Sequence, residues 1–298
     1  MSGLVPGGPR VVGLGGGHGL AATLAAARRY AGTLDAVVSV ADDGGSSGRL
    51  RRELGIPAPG DVRRCLVALA ADPDAPWPAA FGARFERGEL AGHALGNLVI
   101  AGLLETTGSF AAAIAEAGRL LDVCGRVLPA TLQPVTLTTT VGGRHYQGQT
   151  ALEAIAGGLS EIGILPADAA APAEVIAAIA SADQVILGPG SLFTSVIAAV
   201  AVPDIRDALV SRRDGVVFVC NLKASKETVG YDAAAHLSAL RRHGIVPHAV
   251  LVDPDAIETE TITSDGGVRV VKARLAQPNG WSHDLNLLAR ALAGLVPR

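Results

Sequence analysis

Val11-Val12-Gly13-Leu14-Gly15-Gly16-Gly17-His18-Gly19-Leu20 decides the fold of this chain. An apolar run stops at three consecutive glycines, and an Ala-rich helical stretch from Leu20 to Tyr30 follows at once. Glycines at a strand end leave backbone N–H groups uncovered at a helix N-terminus, the arrangement that binds phosphate. The spacing is neither a full G-x-G-x-x-G nor a P-loop, so packing of helix on strand explains it equally well by itself. A second apolar run, Leu34–Val40, closes a βαβ unit whose two strands should be parallel.

The next residues strengthen the ligand reading. Ala41-Asp42-Asp43-Gly44-Gly45-Ser46-Ser47-Gly48-Arg49 puts carboxylates, hydroxyls and a cation at the carboxyl end of the second strand, the edge where open α/β sheets hold ligands. Asp42 and Asp43 are the candidate metal ligands, and Gly44, Ser46 and Ser47 are candidate ligand contacts. Further on, Asp61 reads as the N-cap of a helix Val62–Ala71. Arg63 and Arg64 in its first turn oppose the helix dipole, so one of them is retained for an anion or both simply point to water.

From Trp77 to Arg126 the periodicity is helical, a helical excursion over one edge of the sheet. Within it His93 and Asn97 lie one turn apart and either face a ligand together or cap and pack. From Pro134 to Thr150 the period becomes two around Gly142-Gly143, the signature of an antiparallel hairpin added to the parallel sheet, with His145 an exposed strand residue. Pro166 to Pro172 reads as a short connector.

A second glycine bend follows the strand Gln184–Leu187. Gly188-Pro189-Gly190-Ser191-Leu192-Phe193-Thr194-Ser195 again joins a strand end to hydroxyls and a helix, Val196–Val200. Two such bends, one per half of the chain, suit a ligand bound across the switch point of a doubly wound sheet. Strand Val216–Cys220 then ends at Asn221. A helix Tyr231–Arg242, strands Ala249–Val252 and Val268–Val271, and a last helix Leu285–Leu295 complete the α/β pattern. The expected architecture is a single Rossmann-like, three-layer α/β/α domain over residues 1–298 with a mainly parallel sheet.

Composition agrees. Of 298 residues 49% are hydrophobic but only 3% aromatic, and 37 are glycine, as suits a buried parallel sheet under Ala-rich helices. A net charge of −3 argues against a general nucleic-acid binder, which carries a concentrated basic face. Cys65, Cys124 and Cys220 are far apart and odd in number, which argues for buried thiols in a reducing cytoplasm. No signal peptide and no run of membrane-span length is present, so a cytoplasmic location is expected.

Taken in order, the first glycine bend, Val-Ala-Asp-Asp-Gly-Gly-Ser-Ser-Gly-Arg-Leu-Arg, Pro-Gly-Asp-Val-Arg, Gly-His-Ala-Leu-Gly-Asn-Leu, Gly-Pro-Gly-Ser-Leu-Phe-Thr-Ser-Val-Ile and Val-Cys-Asn-Leu resemble the YvcK-type gluconeogenesis and cell-morphology factors. These are grouped with the CofD-type 2-phospho-L-lactate transferases. The resemblance spans about Val11 to Leu292 and implies a Rossmann-like fold and a nucleotide or nucleotide-sugar ligand. UDP-GlcNAc-like sugars, NAD and GDP are all candidates, and the role implied is in envelope growth and carbon use. For the transferase relatives it implies a guanosine-linked donor, a deazaflavin acceptor and Mg²⁺.

Carried over, it puts Gly15, Gly16, Gly17, Asp42 and Asp43 in the first loop, Gly188, Gly190 and Ser191 in the second and Asn221 at the end of a third strand; His18, Asn97 and Tyr231 are further candidate ligand contacts. Family members often carry Thr where His18 stands, and an Arg before the C-terminal His-Asp where this chain has Ser282. The segment Ile257–Gly267 is short and lacks the Tyr that some members use for a nucleotide sugar. Two functions follow. One is a nucleotide-binding regulatory factor working through envelope-synthesis partners, with homo-oligomerisation left open. The other is a phosphoester transferase in which Asp42 or Asp43 holds Mg²⁺ while Arg49 and the loop N–H groups stabilise developing charge. Scarce aromatics and the lack of a general base favour the first.

Overall fold

The computed structural model describes residues 3–155, 157–212, 214–259 and 267–297. The chain opens as expected with β1 (Arg10–Gly15), α1 (Gly17–Ala27) and β2 (Thr33–Val38). Gly13 lets the helix lie close on the strand: a methyl there would come 3.0 Å from Leu20 Cδ1 and 3.2 Å from Leu24 Cδ2. Leu20 and Leu24 are fully buried, each such side chain contributing about 1.5–3 kcal/mol. Then come α2 (Gly45–Leu54), α3 (Gly60–Leu69), α4 (Pro76–Gly82), α5 (Leu95–Thr107) and α6 (Phe110–Leu120). The remaining strands are β3 (Arg126–Pro129), β4 (Thr136–Val141), β5 (Arg144–Gln147), β6 (Gly163–Leu165), β7 (Gln184–Leu187), β8 (Val216–Val219), β9 (Ala249–Val252) and β10 (Arg269–Lys272).

Seven strands form one parallel sheet in the order β10-β9-β8-β7-β1-β2-β3. Its middle strands β7, β8 and β9 are buried at every residue because helices cover both faces. Counted along the chain, its first six parallel strands lie in the dinucleotide-fold order 3-2-1-4-5-6, and the order reverses between β1 and β7. One hydrophobic cluster runs from Val11 to Leu292 and takes in both sheets.

Several expectations are corrected. The hairpin forms through Gly142-Gly143, but it pairs with β6 in a separate three-stranded sheet, β5-β4-β6, and does not extend the parallel one. Strand β3, the edge partner of β2, was hidden at the end of the helical excursion, and β6 in the run before the connector; both are too short to show a period. The excursion is interrupted over 83–94 by a loop that folds back through a bridge between Arg84 and Ala94. The second glycine bend leads into a π-helical turn, Leu192–Ile197, before an α-helical one. Residues 260–266 of the segment Ile257–Gly267 lie outside the described residues.

Candidate functional site

The two glycine bends leave neighbouring strands, β1 and β7, at the same carboxyl edge, and they touch. A methyl on Gly19 would lie 2.0 Å from the Pro189 carbonyl oxygen, and one on Gly190 would lie 3.6 Å from the Gly16 oxygen. Gly17 at φ 64° and Gly188 at φ 73° take left-handed conformations that give the bends their shape. Thr23 of α1 donates to the Gly188 carbonyl at 2.7 Å. Asn221, just beyond the end of β8, clasps Gly190 from both sides: Oδ1 accepts from the Gly190 N–H at 2.9 Å and Nδ2 donates to the Gly190 carbonyl at 2.8 Å. The second bend is thereby held by the first and by a third strand.

Each bend already has a carboxylate at its helix start. Asp61 does not cap its own helix. It lies against Gly16, accepts from the Gly17 N–H and pairs with Arg64. Burial pushes its carboxyl pKa up, with the Asp42 charge adding to that and Arg64 opposing it. Glu227, 2% exposed, closes the start of the π-helical turn: Oε1 accepts from the Phe193 N–H at 3.3 Å and Oε2 from the Thr194 hydroxyl at 3.2 Å. Burial raises its pKa as well. Helix starts that would attract an external anion are thus partly satisfied from within.

Asp42 and Asp43 diverge, as neighbours on extended backbone do. Asp42 turns inward: Oδ1 accepts from the Gly44 N–H at 2.9 Å, and Oδ2 stands by Gly60, where a methyl would meet it at 3.0 Å and Ser47 Oγ at 2.3 Å. Asp43 turns outward and accepts from the Thr150 N–H at 2.9 Å and its hydroxyl at 2.7 Å. There it borders an open groove of about 790 Å³ with Gly48, Arg51 and Arg52. Asp42 and Ser47 therefore meet beside Gly60, and the Asp42 charge acts on Asp61, while no group of three or more His, Cys, Asp or Glu that could hold a metal ion occurs among the described residues. Ser46 Oγ meets His93 Nδ1 at 3.0 Å and Asn97 Nδ2 at 3.0 Å, all buried, while Asn97 Oδ1 has no partner.

The family model described as 2-phospho-L-lactate transferase CofD matches residues 11–284. The chain belongs to the CofD family. A Mycobacterium tuberculosis relative is 41% identical over 97% of this chain and 90% of its own. The gluconeogenesis factor of Halalkalibacterium halodurans is 39% identical over 90% and 81%, and that of Bacillus subtilis 38% over 79% and 75%. The crystal structure of a Bacillus halodurans protein of the UPF0052 family superposes with a TM-score of 0.88 at 35% identity, covering 95% of this chain and 97% of that one.

On this CofD scaffold Gly15, Gly16, Gly17, Gly188, Gly190 and Asn221 converge on one rim, with Asp42, Gly44 and Ser47 beside it. Ser191 follows directly and caps nothing with its side chain. His18 stands exposed at the exit of the first bend. Ser46 and Asn97 are buried with His93, and three further candidates face elsewhere. Arg49 donates to the Ala91 carbonyl at 2.7 Å and holds the 83–94 loop. Asp43 belongs to the outer groove. Tyr231 packs edge-on against Phe193 and donates to the Leu159 carbonyl at 3.2 Å. Sequence reasoning missed Asp61 and Glu227 as parts of the rim. The Asp61 signal was present, an acidic residue beside two arginines, but its target lies some forty residues upstream.

Proposed function

We propose that the protein is a nucleotide- or nucleotide-sugar-binding factor that serves gluconeogenic carbon use and cell-envelope growth through protein partners. The observation that carries this reading is the contact of two glycine bends where the strand order reverses, since a diphosphate there would lie against backbone of both halves and compete with the Asp61, Asn221 and Glu227 side chains for its N–H groups. The names of the Bacillus and Halalkalibacterium relatives support the metabolic part. Asp42 and Asp61 make the crevice acidic, so a diphosphate is expected to arrive with a divalent cation that these carboxylates and Ser47 would hold. When bound, that cation would screen the phosphate charge. Asn221 and Thr23 fix the second bend, and the Asp61–Arg64 pair fixes the first.

The test is a thermal-shift panel of UDP-sugars, NAD, GDP and a deazaflavin, each with and without Mg²⁺. A ligand at a hundred times its Kd stabilises by about 2.7 kcal/mol, roughly a 5 °C rise for a chain of this size. The reading fails if no nucleotide raises the melting temperature under either condition.

The second reading is a Mg²⁺-dependent transfer of a phosphoester from a guanosine-linked donor to a deazaflavin. It is favoured by the oxygens of Asp42 and Ser47 beside Gly60 and by the description of the family model. The groove beside Asp43 has no aromatic among its lining residues to stack a flat acceptor. Formation of a deazaflavin phosphodiester by the purified protein, with release of an equal amount of the guanosine nucleotide, would decide for transfer.

A further inference from the structure

Trp281 is 72% exposed, more than any other large hydrophobic side chain among the described residues. A lone exposed apolar residue is ordinary, but this one is held in place. Asn279 Oδ1 accepts from the Trp281 N–H at 2.8 Å and from the Ser282 N–H at 3.4 Å, and the Gln277 N–H donates to the Ser282 carbonyl at 2.8 Å. A bridge between Ala276 and His283 closes the base of this turn. Below it Asp253, just beyond β9, accepts from the N–H groups of Leu275 and Ala276 at 2.7 and 2.9 Å. Lys223 Nζ stands 3.6 Å from the centre of the indole ring, so a cation covers one face and braces the ring.

Both partners belong to the edge that carries the glycine bends. Lys223 follows two residues after Asn221, whose side chain clasps Gly190, so the Cα atoms of Lys223 and Asn221 are at most about 7 Å apart. On the other side of the contact His283, two residues after Trp281, meets the carbonyl of Cys220, the neighbour of Asn221. The indole is thus tied from two sides to the carboxyl end of β8, the strand beside β7 and the second bend. A diphosphate lying against that bend would send one end of its ligand along this edge. Every nucleobase has a flat face that an aromatic ring can stack on, and stacking returns to cover the apolar area that Trp281 leaves in water. The groove beside Asp43 offers no aromatic for the purpose.

We propose that the open face of Trp281, braced by Lys223, is the stacking platform for the nucleobase of a nucleotide whose diphosphate lies at the glycine bends. This rests on the nucleotide reading and adds to it the place of the base.

The test uses the scarcity of indoles. The chain's other tryptophan, Trp77, packs edge-on against Phe81, and in Trp77→Phe the emission of Trp281 is followed alone. UDP or GDP, with Mg²⁺, should quench that emission saturably, whereas inorganic pyrophosphate, a diphosphate without a base, should leave it unchanged. By calorimetry Trp281→Ala should weaken binding of the quenching nucleotide about tenfold, and Trp281→Phe should recover part of the loss. Pyrophosphate should behave alike towards Trp281→Ala and the wild type. Melting curves check that each variant folds. The proposal is overturned if the nucleotides bind Trp281→Ala as tightly as the wild type, the result expected of an indole kept for docking a protein partner, or if pyrophosphate quenches as fully as they do. Failure of the nucleotide reading looks different and ends both: no nucleotide raises the melting temperature of the wild type or quenches Trp281.

Discussion

Asp61 sits in the first turn of one helix and serves the start of another, which gives a single carboxylate control over the glycine bend. Replacing it with Asn removes the charge that a phosphate would face while keeping an oxygen for the Gly17 N–H. In Asp61→Asn, nucleotide-induced thermal shifts should therefore appear without Mg²⁺, and the increment added by Mg²⁺ should shrink to near zero. Gly19→Ala tests the contact between the bends. Its methyl would fall 2.0 Å from backbone, so the variant should lose about 2 kcal/mol or more in urea denaturation. Residues whose neighbours are local were legible: the glycines, Asp42 and Ser47 announce themselves in one short string. Asp61 reads from sequence as the cap of its own helix and Arg63 only as a question about helix polarity, because the target of Asp61 is set by how α3 lies on α1.

His283 adds a pH dependence. Burial, opposed by a bond to the Cys220 carbonyl and by the Asp253 charge, lowers its pKa from 6.5 to about 4, and its Nε2 is buried without a partner. The unfolded chain takes up a proton below about 6.5 while the folded one does not until about 4. Stability from this group is thus intact above 6.5 and lost as pH falls through that window, at up to about 1.4 kcal/mol per unit. Urea denaturation between pH 7.5 and 4.5 should show a shallower decline for His283→Gln than for the wild type.

At the scale of elements, the π-helical turn depends on a side chain from a different segment. Glu227 closes its start through Phe193 and Thr194, so Glu227→Ala leaves buried donors open and should lower stability by about 2–3 kcal/mol. Glu227→Gln, which retains an acceptor for Phe193, should lose less, a difference that denaturant midpoints resolve. This turn was read as a plain helix starting at Val196, since residue type alone does not distinguish the wider hydrogen-bonding pattern that places Leu192 to Ile197. The hairpin was visible from its alternating threonines and its Gly-Gly turn. Its partner was not, because β6 has three residues and its pairing with Thr136–Thr138 joins segments 25 or more residues apart.

For the molecule as a whole, the alternation of strand and helix revealed a parallel sheet, but the strand order came only with the coordinates. Pairing of β1 with β7 joins segments more than 170 residues apart, and no local pattern encodes it. The link between the two sheets is similarly remote. Arg51 donates to the carbonyls of Ala41, Asp42 and Val135, so Arg51→Ala should loosen the small sheet first. Hydrogen exchange in β4 and β5 should then accelerate while β7, β8 and β9 stay protected.

The β1–β7 pairing also means that each half of the chain contributes one jaw of the same grip. The stretch Pro166–Asp168 joining them is exposed, so a protease nick there would put the two bends on separate pieces, and on the proposed nucleotide reading neither piece would hold the ligand by itself. Their reassembly would then be a ligand's doing as much as the sheet's, and the protein could be run as a two-part reporter whose halves find each other when the right metabolite is present.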